Sequence, residues 1–345
     1  MRIAYFGAGS HAVDLQRHLL IAKACGYDIS SNLFFEINSA QNYSVKLMFA
    51  DSCDFVTLFK LCIFQMNTHF SQISFIALEL FNLSYKAWFE ELRFLIKETK
   101  SISNIKSILY FALIIPIRIL LVRIILSKGE REIIVPSELR IIFLKSILSK
   151  NIVYTLIRNK PILSLCNFEK PEEFNQLSKQ VKALIEDCNY LFIAGRINVE
   201  EEFYKICEYA YQANLKIIAA TSQLEMMKRS INQFPGLIFS LGTLNNSMVM
   251  YISSRCLAGI CLYNNFTSNQ RLSASSKLFE FLLLNRPIIS SNNLGMSGEF
   301  KSEFIHLIIP IEKLRQGIRI NTEVIKLNKE FCFEYELKDL TTNIR

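Results

Sequence analysis

From Tyr190 onward the chain alternates short apolar runs with amphipathic stretches of about ten residues, and this alternation restricts the fold more than any other feature. YLFIAG (190–195), LKIIAA (215–220), LIFSLG (237–242), LAGICLY (257–263) and RPIISS (286–291) read as strands. EEEFYKICEYAYQA (200–213), the stretch from about Asn246 to Ser254, and SSKLFEFLLL (275–284) have helical spacing. Strands with no polar face must be buried on both sides. A parallel sheet covered by crossover helices on both faces provides that burial.

The first half opens the same way. RIAYFG (2–7) predicts a strand, and AVDLQRHLLIAKAC (12–25) predicts a helix that stops at Gly26. ISFIALELF (73–81) reads as a strand running to Glu79 and KAWFEELRFLIKE (86–98) as a helix. EIIVPS (132–137), ELRIIFLKSIL (138–148) and IVYTLI (152–157) read as strand, helix and strand, and Arg158–Pro161 as a breaker. The Glu/Lys/Asn/Gln-rich stretch 162–187 predicts a linker with a boundary helix. The 345 residues suffice for two cores. The expected architecture is α/β, with two Rossmann-like doubly wound domains over residues 1–165 and 166–345, facing an interdomain cleft. The last helix is a candidate to pack back on the first domain. Ligands of such sheets bind beyond the carboxyl ends of the strands.

Composition narrows the partners. Hydrophobic residues make up 51% and charged residues 20%, which excludes a disordered chain. The net charge of +8 favours anionic partners, or simply solubility. The basic residues are scattered, which argues against nucleic acid. Nine Cys without a Cys-x-x-Cys pair, and only 4 His, offer no zinc pattern and suit a reducing compartment. Arg2 is followed by too short an apolar run for a signal peptide. These features predict a cytoplasmic protein. Residues 105–126 (IKSILYFALIIPIRILLVRIIL) have the length of a bilayer span, but Lys106, Pro116, Arg118 and Arg123 interrupt them. Each charge at mid-bilayer costs roughly 2.5–3.5 kcal/mol. The segment therefore reads as a helix resting on an anionic membrane surface or as a core helix with snorkelling Arg side chains, ahead of a true span.

Two stretches could carry chemistry. Gly7-Ala8-Gly9-Ser10-His11-Ala12 lies between the first strand and helix in a G-x-G-x-x-A pattern. It could approach a dinucleotide phosphate with Asp28 or Glu36 on the ribose, face a sugar acceptor, or simply turn the chain. In 273–293, Ser275 and Ser276 can cap a helix, and Lys277 sits in the first turn, where the helix dipole disfavours a cation unless an anion binds there. Glu280 shares the face of Ser276 and Lys277, placed to accept hydrogen bonds from a ribose diol. A surface Lys–Glu pair is the plainer alternative. No Asp-x-Asp metal motif occurs, since Asp51 and Asp54 are one residue too far apart.

The run Ser275-Ser276-Lys277-Leu278-Phe279-Glu280-Phe281, followed by Arg286-Pro287-Ile288-Ile289-Ser290, resembles the donor-binding signature of the GT-B glycosyltransferases of family 4. Ala194-Gly195-Arg196 resembles that family's Gly-Arg strand end. Leu237–Gly242 resembles its strand before the base loop, and Ile133–Ser137 with Arg140 its last N-domain strand and following helix. The chain departs from the pattern at Leu272, where the first acid of a spaced Glu pair would stand. It departs also at Asn285 in place of Gly, and at Val199–Glu202 in place of a Lys.

The resemblance implies a retaining, metal-independent hexosyltransferase with no tightly bound cofactor that uses a nucleotide-sugar donor, UDP- or GDP-linked. Gly195, Arg196, Ser275, Ser276 and Lys277 would lie by the diphosphate, and Glu280 would hold the ribose. Gly7 and Gly9 would form an acceptor-side loop, with His11 and Glu79 as candidate catalytic groups. The acceptor would be a glycan or lipid-linked glycan of cell-surface polysaccharide or O-antigen synthesis, met on the inner face of the membrane through 105–126. The alternatives are an NAD(P)-dependent oxidoreductase using the Gly7–Ala12 turn and a non-catalytic membrane-associated member of the same fold.

Overall fold

The computed structural model describes residues 2–5, 12–29, 45–51, 53–67, 70–98, 105–127, 129–148, 151–197, 199–273, 275–292, 307–316 and 327–343. The chain divides into two compact units, each around its own parallel sheet. Unit 1 takes in Met1–Arg158, Phe266–Leu272 and Leu337–Arg345, and unit 2 takes in Asn159–Asn265 and Ser273–Glu336.

In unit 1 the strands are β1 (Arg2–Ala4), β2 (Asp28–Ile29), β3 (Val45–Ala50), β4 (Phe70–Ile76), β5 (Glu130–Val135) and β6 (Val153–Leu156). They pair in the order β2-β1-β3-β4-β5-β6, all parallel. The order reverses between β1 and β3. The helices are α1 (Ala12–Ala24), α2 (Phe55–Asn67), α3 (Tyr85–Glu98), α4 (Ile105–Ile125) and α5 (Glu138–Ile147). Alternate strand residues (Leu47 and Phe49, Ile73 and Phe75, Ile133 and Val135) enter one core cluster with Leu58 and Leu61 of α2 and Val122 and Ile125 of α4. The opposite face carries a polar row. Ser74 donates to Glu132 Oε2 (2.5 Å), Thr155 donates to Glu132 Oε1 (2.6 Å), and Lys46 donates to Gln72 Oε1 (2.8 Å).

α4 is held in unit 1 by one side. Ile115, Ile119, Val122 and Ile125 are buried, Trp88 Nε1 donates to the Phe111 carbonyl (2.9 Å), and Arg118 is itself buried. Leu109, Leu113, Ile117 and Leu120 are exposed, spaced three or four apart along the other side. Ile108–Ile125 is long and apolar enough to cross a membrane by length and composition, and a third of it is buried.

Unit 2 adds α6 (Lys179–Asp187), β7 (Tyr190–Ala194), α7 (Glu200–Gln212), β8 (Lys216–Ala220), α8 (Leu224–Gln233), β9 (Ile238–Ser240), α9 (Asn246–Ser253) and β10 (Ala258–Cys261). After the one-turn helix α10 (Ser268–Arg271), which clusters with unit 1, come α11 (Ser276–Leu283), β11 (Ile288–Ser290), β12 (Ile308–Pro310) and α12 (Phe333–Asn343), which clusters with unit 1 from Leu337 onward. The strand order is β12-β11-β10-β7-β8-β9, all parallel. It reverses between β7 and β10, as in a dinucleotide-binding sheet. The period-2 pattern splits the core into two layers. Leu191, Ile193, Ile217, Ala219, Ala258 and Ile260 enter one cluster, while Tyr190, Phe192, Ile218, Ala220 and Cys261 enter the other.

Strand and helix ends differ from the sequence reading by a few residues. The largest difference is in β4, which starts at Phe70 and stops at Ile76, short of Glu79. The reason is a side chain: the Asp51 carboxylate takes the N–H groups of Leu78 and Glu79 out of the ladder (2.8 Å each).

Gly259 in β10 has no room for a side chain, because a Cβ there would lie 2.3 Å from the Phe281 ring of α11. This contact seats α11 on the sheet. Gly259→Ala is expected to cost about 1–3 kcal/mol in urea unfolding, as overpacked core positions do. An unchanged midpoint would mean that Phe281 yields freely.

Candidate functional site

In unit 2 the residues of interest lie at the carboxyl ends of the strands, around the β7/β10 reversal. Gly195 directly follows β7, and its φ of +92° is open to glycine and strained for other residues. Its N–H donates to the Ala220 carbonyl (2.8 Å). Arg196 is next, exposed and without a hydrogen bond or ion pair among the described residues. Sequence reasoning missed the group that fixes this turn. Gln223, just after β8, grips Ile197 by both backbone groups: Oε1 accepts its N–H (2.5 Å) and Nε2 donates to its carbonyl (3.2 Å).

β10 and α11 supply the other side. Ser275 occupies the N-cap position of α11, yet its hydroxyl makes no cap bond. It is buried and paired with the Tyr263 hydroxyl at 3.0 Å. The expected Ser cap is therefore absent, and the first-turn N–H groups have no side-chain acceptor from Ser275. Ser276, the first helical residue, is half-buried. Lys277 Nζ lies 2.7 Å from Glu280 Oε2, and Glu280 is only 7% exposed. The structure thus brings Lys277 and Glu280 together as the helix spacing predicts. Glu280 and Lys277 also act on two neighbouring thiols. Burial and then the Glu280 charge push Cys166 up to about 12 and raise Cys261 as well.

A second unforeseen contact ties the edge together. Ser291, beyond β11, accepts the Tyr263 N–H (2.9 Å) and donates to Glu202 Oε2 (2.6 Å). Glu202 stands in the Val199–Glu202 stretch, and burial raises its pKa. Asn285, in place of the family's Gly, has a φ of +51°. Asn is among the residues that tolerate this left-handed region, so the departure keeps the turn.

In unit 1 the sheet's carboxyl edge holds a pair of acids. Asp51 comes directly after β3, beside the β1/β3 reversal, and is buried. Burial, and then the nearby Glu79 charge, raise its pKa to about 7 against the pull of the Leu78 and Glu79 N–H groups and the Asn82 side chain. Its carbonyl accepts from Arg118 of α4 (2.7 Å). Glu79 is half-buried, and its Oε2 has no hydrogen-bond partner among the described residues. Buried Arg140 donates to the carbonyls of Leu78 and Leu272. Leu272, where the family's first acid would stand, is part of the unit 1 core instead. Glu90 accepts both the N–H and the hydroxyl of Ser268 (2.7 and 2.6 Å). Gly7, Gly9, His11 and Glu36 lie outside the described residues. Asp28 opens β2 and is exposed.

Two parallel six-stranded sheets with crossover helices in tandem define the GT-B fold, and this chain has it over its full length. Sucrose-phosphate synthase from Thermosynechococcus elongatus superposes with a TM-score of 0.56 at 12% identity, covering 99% of this chain and 98% of that one. HepE of Anabaena in complex with UDP-glucose gives 0.55 at 10% identity, covering 100% and 99%. A UDP-forming α,α-trehalose-phosphate synthase from Burkholderia xenovorans gives 0.51 at 10% identity, covering 95% and 78%. No protein-family profile matches the chain, and no curated protein matches it in sequence.

The raised pKa of Asp51 has a pH signature. A carboxyl that binds its proton more tightly when folded contributes stability that is full below its ordinary value of 3.8 and is lost as pH rises through about 7. Asp51→Asn removes that titration. Between about pH 5 and 8 its melting temperature should fall less than that of the wild type; parallel curves would contradict the assignment.

Proposed function

We propose that the chain is a glycosyltransferase of the family 4 kind that takes its sugar from a nucleotide-sugar donor bound at the carboxyl edge of unit 2. The observation that carries this reading is the Lys277–Glu280 pair in the first turns of α11, beside the strand-order reversal. A cation and a buried carboxylate sit at a helix N-terminus that Ser275 leaves uncapped. Lys277, Arg196 and the α11 N–H groups would take the diphosphate, with Gly195, Ser275 and Ser276 letting it come close. Glu280 would accept the ribose hydroxyls. These cations would neutralise the charge that develops on the leaving diphosphate without a metal ion. A UDP-sugar is the first choice of donor, since the structure of HepE holds UDP-glucose, and a GDP-sugar the second. Transfer would retain configuration.

Unit 1 would hold the acceptor, with Glu79 and His11 as the candidate catalytic groups. The unpartnered carboxylate oxygen of Glu79 supports that role. We assign 1–165 to acceptor binding and 166–345 to donor binding. The acceptor we propose is a lipid-linked glycan of cell-surface polysaccharide or O-antigen synthesis, met at the cytoplasmic face of the membrane. The exposed side of α4 supports this. Leu109, Leu113, Ile117 and Leu120 are flanked by exposed Val56, Phe59 and Ile63 of neighbouring α2, and Lys60 and Lys106 are exposed beside them. Apolar bulk with cations suits an anionic bilayer surface.

Two experiments test these assignments. In a thermal-shift screen of the full chain against UDP, GDP, ADP, CMP, their sugars and NAD(H), one nucleoside diphosphate should stabilise the protein. Glu280→Gln should weaken that binding about tenfold or more. A response to NAD(H) alone, or to none, would favour the oxidoreductase or the non-catalytic reading. In vesicle co-sedimentation, Leu113→Glu with Leu120→Glu should abolish binding to phosphatidylserine-containing vesicles, with phosphatidylcholine vesicles as the blank. Equal binding by the variant would remove α4 as the contact.

A further inference from the structure

The amino-terminal edge of the unit 2 sheet, opposite the candidate donor site, has its own cavity of ≈ 380 Å³. Three loops build it, each entering one of three adjacent strands. Cys188 precedes β7, Arg255 precedes β10, and Leu284 and Arg286 precede β11. Phe168, Leu327 and Ser254 complete the lining among the described residues. The volume is at the lower end of the range for small-molecule sites.

The charges in this cavity are unbalanced. Both cations are guanidinium groups, and no acid lines the cavity among the described residues. Arg255 stacks on the Tyr251 ring, 4.9 Å from its centroid, and makes no ion pair among the described residues. Arg286 Nη2 donates to the Ser254 carbonyl (2.7 Å), while its Nε is buried with no acceptor among the described residues. A buried charged donor left unpaired is costly, and an anion that reaches it removes the cost. The turns that hold these groups are specific as well. Cys188 and Asn285 both have left-handed backbones, with φ of 58° and 51°.

We propose that this cavity is a binding site, separate from the donor site, for a small amphipathic anion: a carboxylate or phosphate monoester carried on an apolar tail. Arg255 and Arg286 grip the head group through charge-assisted hydrogen bonds. Phe168, Leu284 and Leu327 cover the tail. The assignment does not rest on the glycosyltransferase reading, and its test uses no nucleotide.

Cys188 is a reporter built into the wall, and Cys166, the other half-exposed thiol, is an internal control outside the lining. The full chain is alkylated with N-ethylmaleimide and each cysteine is followed by peptide mass spectrometry. Saturating hexyl phosphate or hexanoate should slow labelling of Cys188 by about tenfold and leave Cys166 unchanged. The more protective of the two identifies the preferred head group. Hexanol and inorganic phosphate, the two halves of the probe, should not protect. Arg255→Gln should weaken protection by about tenfold. No protection by either anion, or equal protection by hexanol, would overturn the proposal without reference to any variant's folding.

Discussion

A strand can lie parallel to its neighbour only if the chain leaves at one edge, runs back over a face of the sheet and re-enters at the other. In unit 2 this constraint is met at β7, β8, β10 and β11 in turn. Every strand therefore releases its chain at the same edge, and the residues just past the strand ends converge there: Gly195 and Arg196, Gln223, Tyr263, and Ser291. α11 starts at that edge too, and the 2.3 Å approach of Phe281 to the Gly259 position shows how tightly it is laid on the sheet. The position of Glu280 thus derives from backbone geometry, and its chemistry from the lysine one turn before it.

Each sheet edge is finished by polar groups that the apolar pattern does not specify. In unit 2, Gln223 and Ser291 replace missing backbone partners in the loops. In unit 1, Asp51 does the same for Leu78 and Glu79, and Arg140 gathers carbonyls from 78, 269 and 272. Buried backbone groups outside a ladder must find partners, and these polar side chains supply them. A consequence is that the Glu79 charge lies close enough to add to the cost of ionising buried Asp51. The segment Phe266–Leu272 owes its place in unit 1 to such bonds and to Leu272 in the core, although its chain neighbours on both sides belong to unit 2.

The alternating pattern after Tyr190 was legible because β7, β8, β10 and β11 are buried on both faces, while α7 and α8 bury one face each. Glu280 and Lys277 could be paired from spacing alone, because i and i+3 share a helix face whatever the fold. β3 and α2 were not legible: VKLMFA and FVTLFKLCIFQMN are mostly apolar with only scattered polar residues, and periodicity cannot separate a buried strand from a buried helix. The same ambiguity surrounds α4, whose two sides are equally apolar in sequence, though one is buried and the other exposed. Gln223, Ser291 and Asp51 carried no local signal, since their partners are 26 to 89 residues away. The hydroxyl of Ser275 went to Tyr263, a residue twelve positions back that no capping rule takes into account.

The central claim is that the carboxyl edge of unit 2 binds a nucleoside diphosphate through α11 and the end of β7. Hydrogen–deuterium exchange of the full chain, with and without saturating UDP, tests it most directly. Bound UDP should slow exchange at 194–197 and 275–281 and leave the amino-edge loops around 188, 255 and 286 unchanged. Protection confined to the unit 1 segments, or absent from 275–281 while UDP is bound, would contradict it.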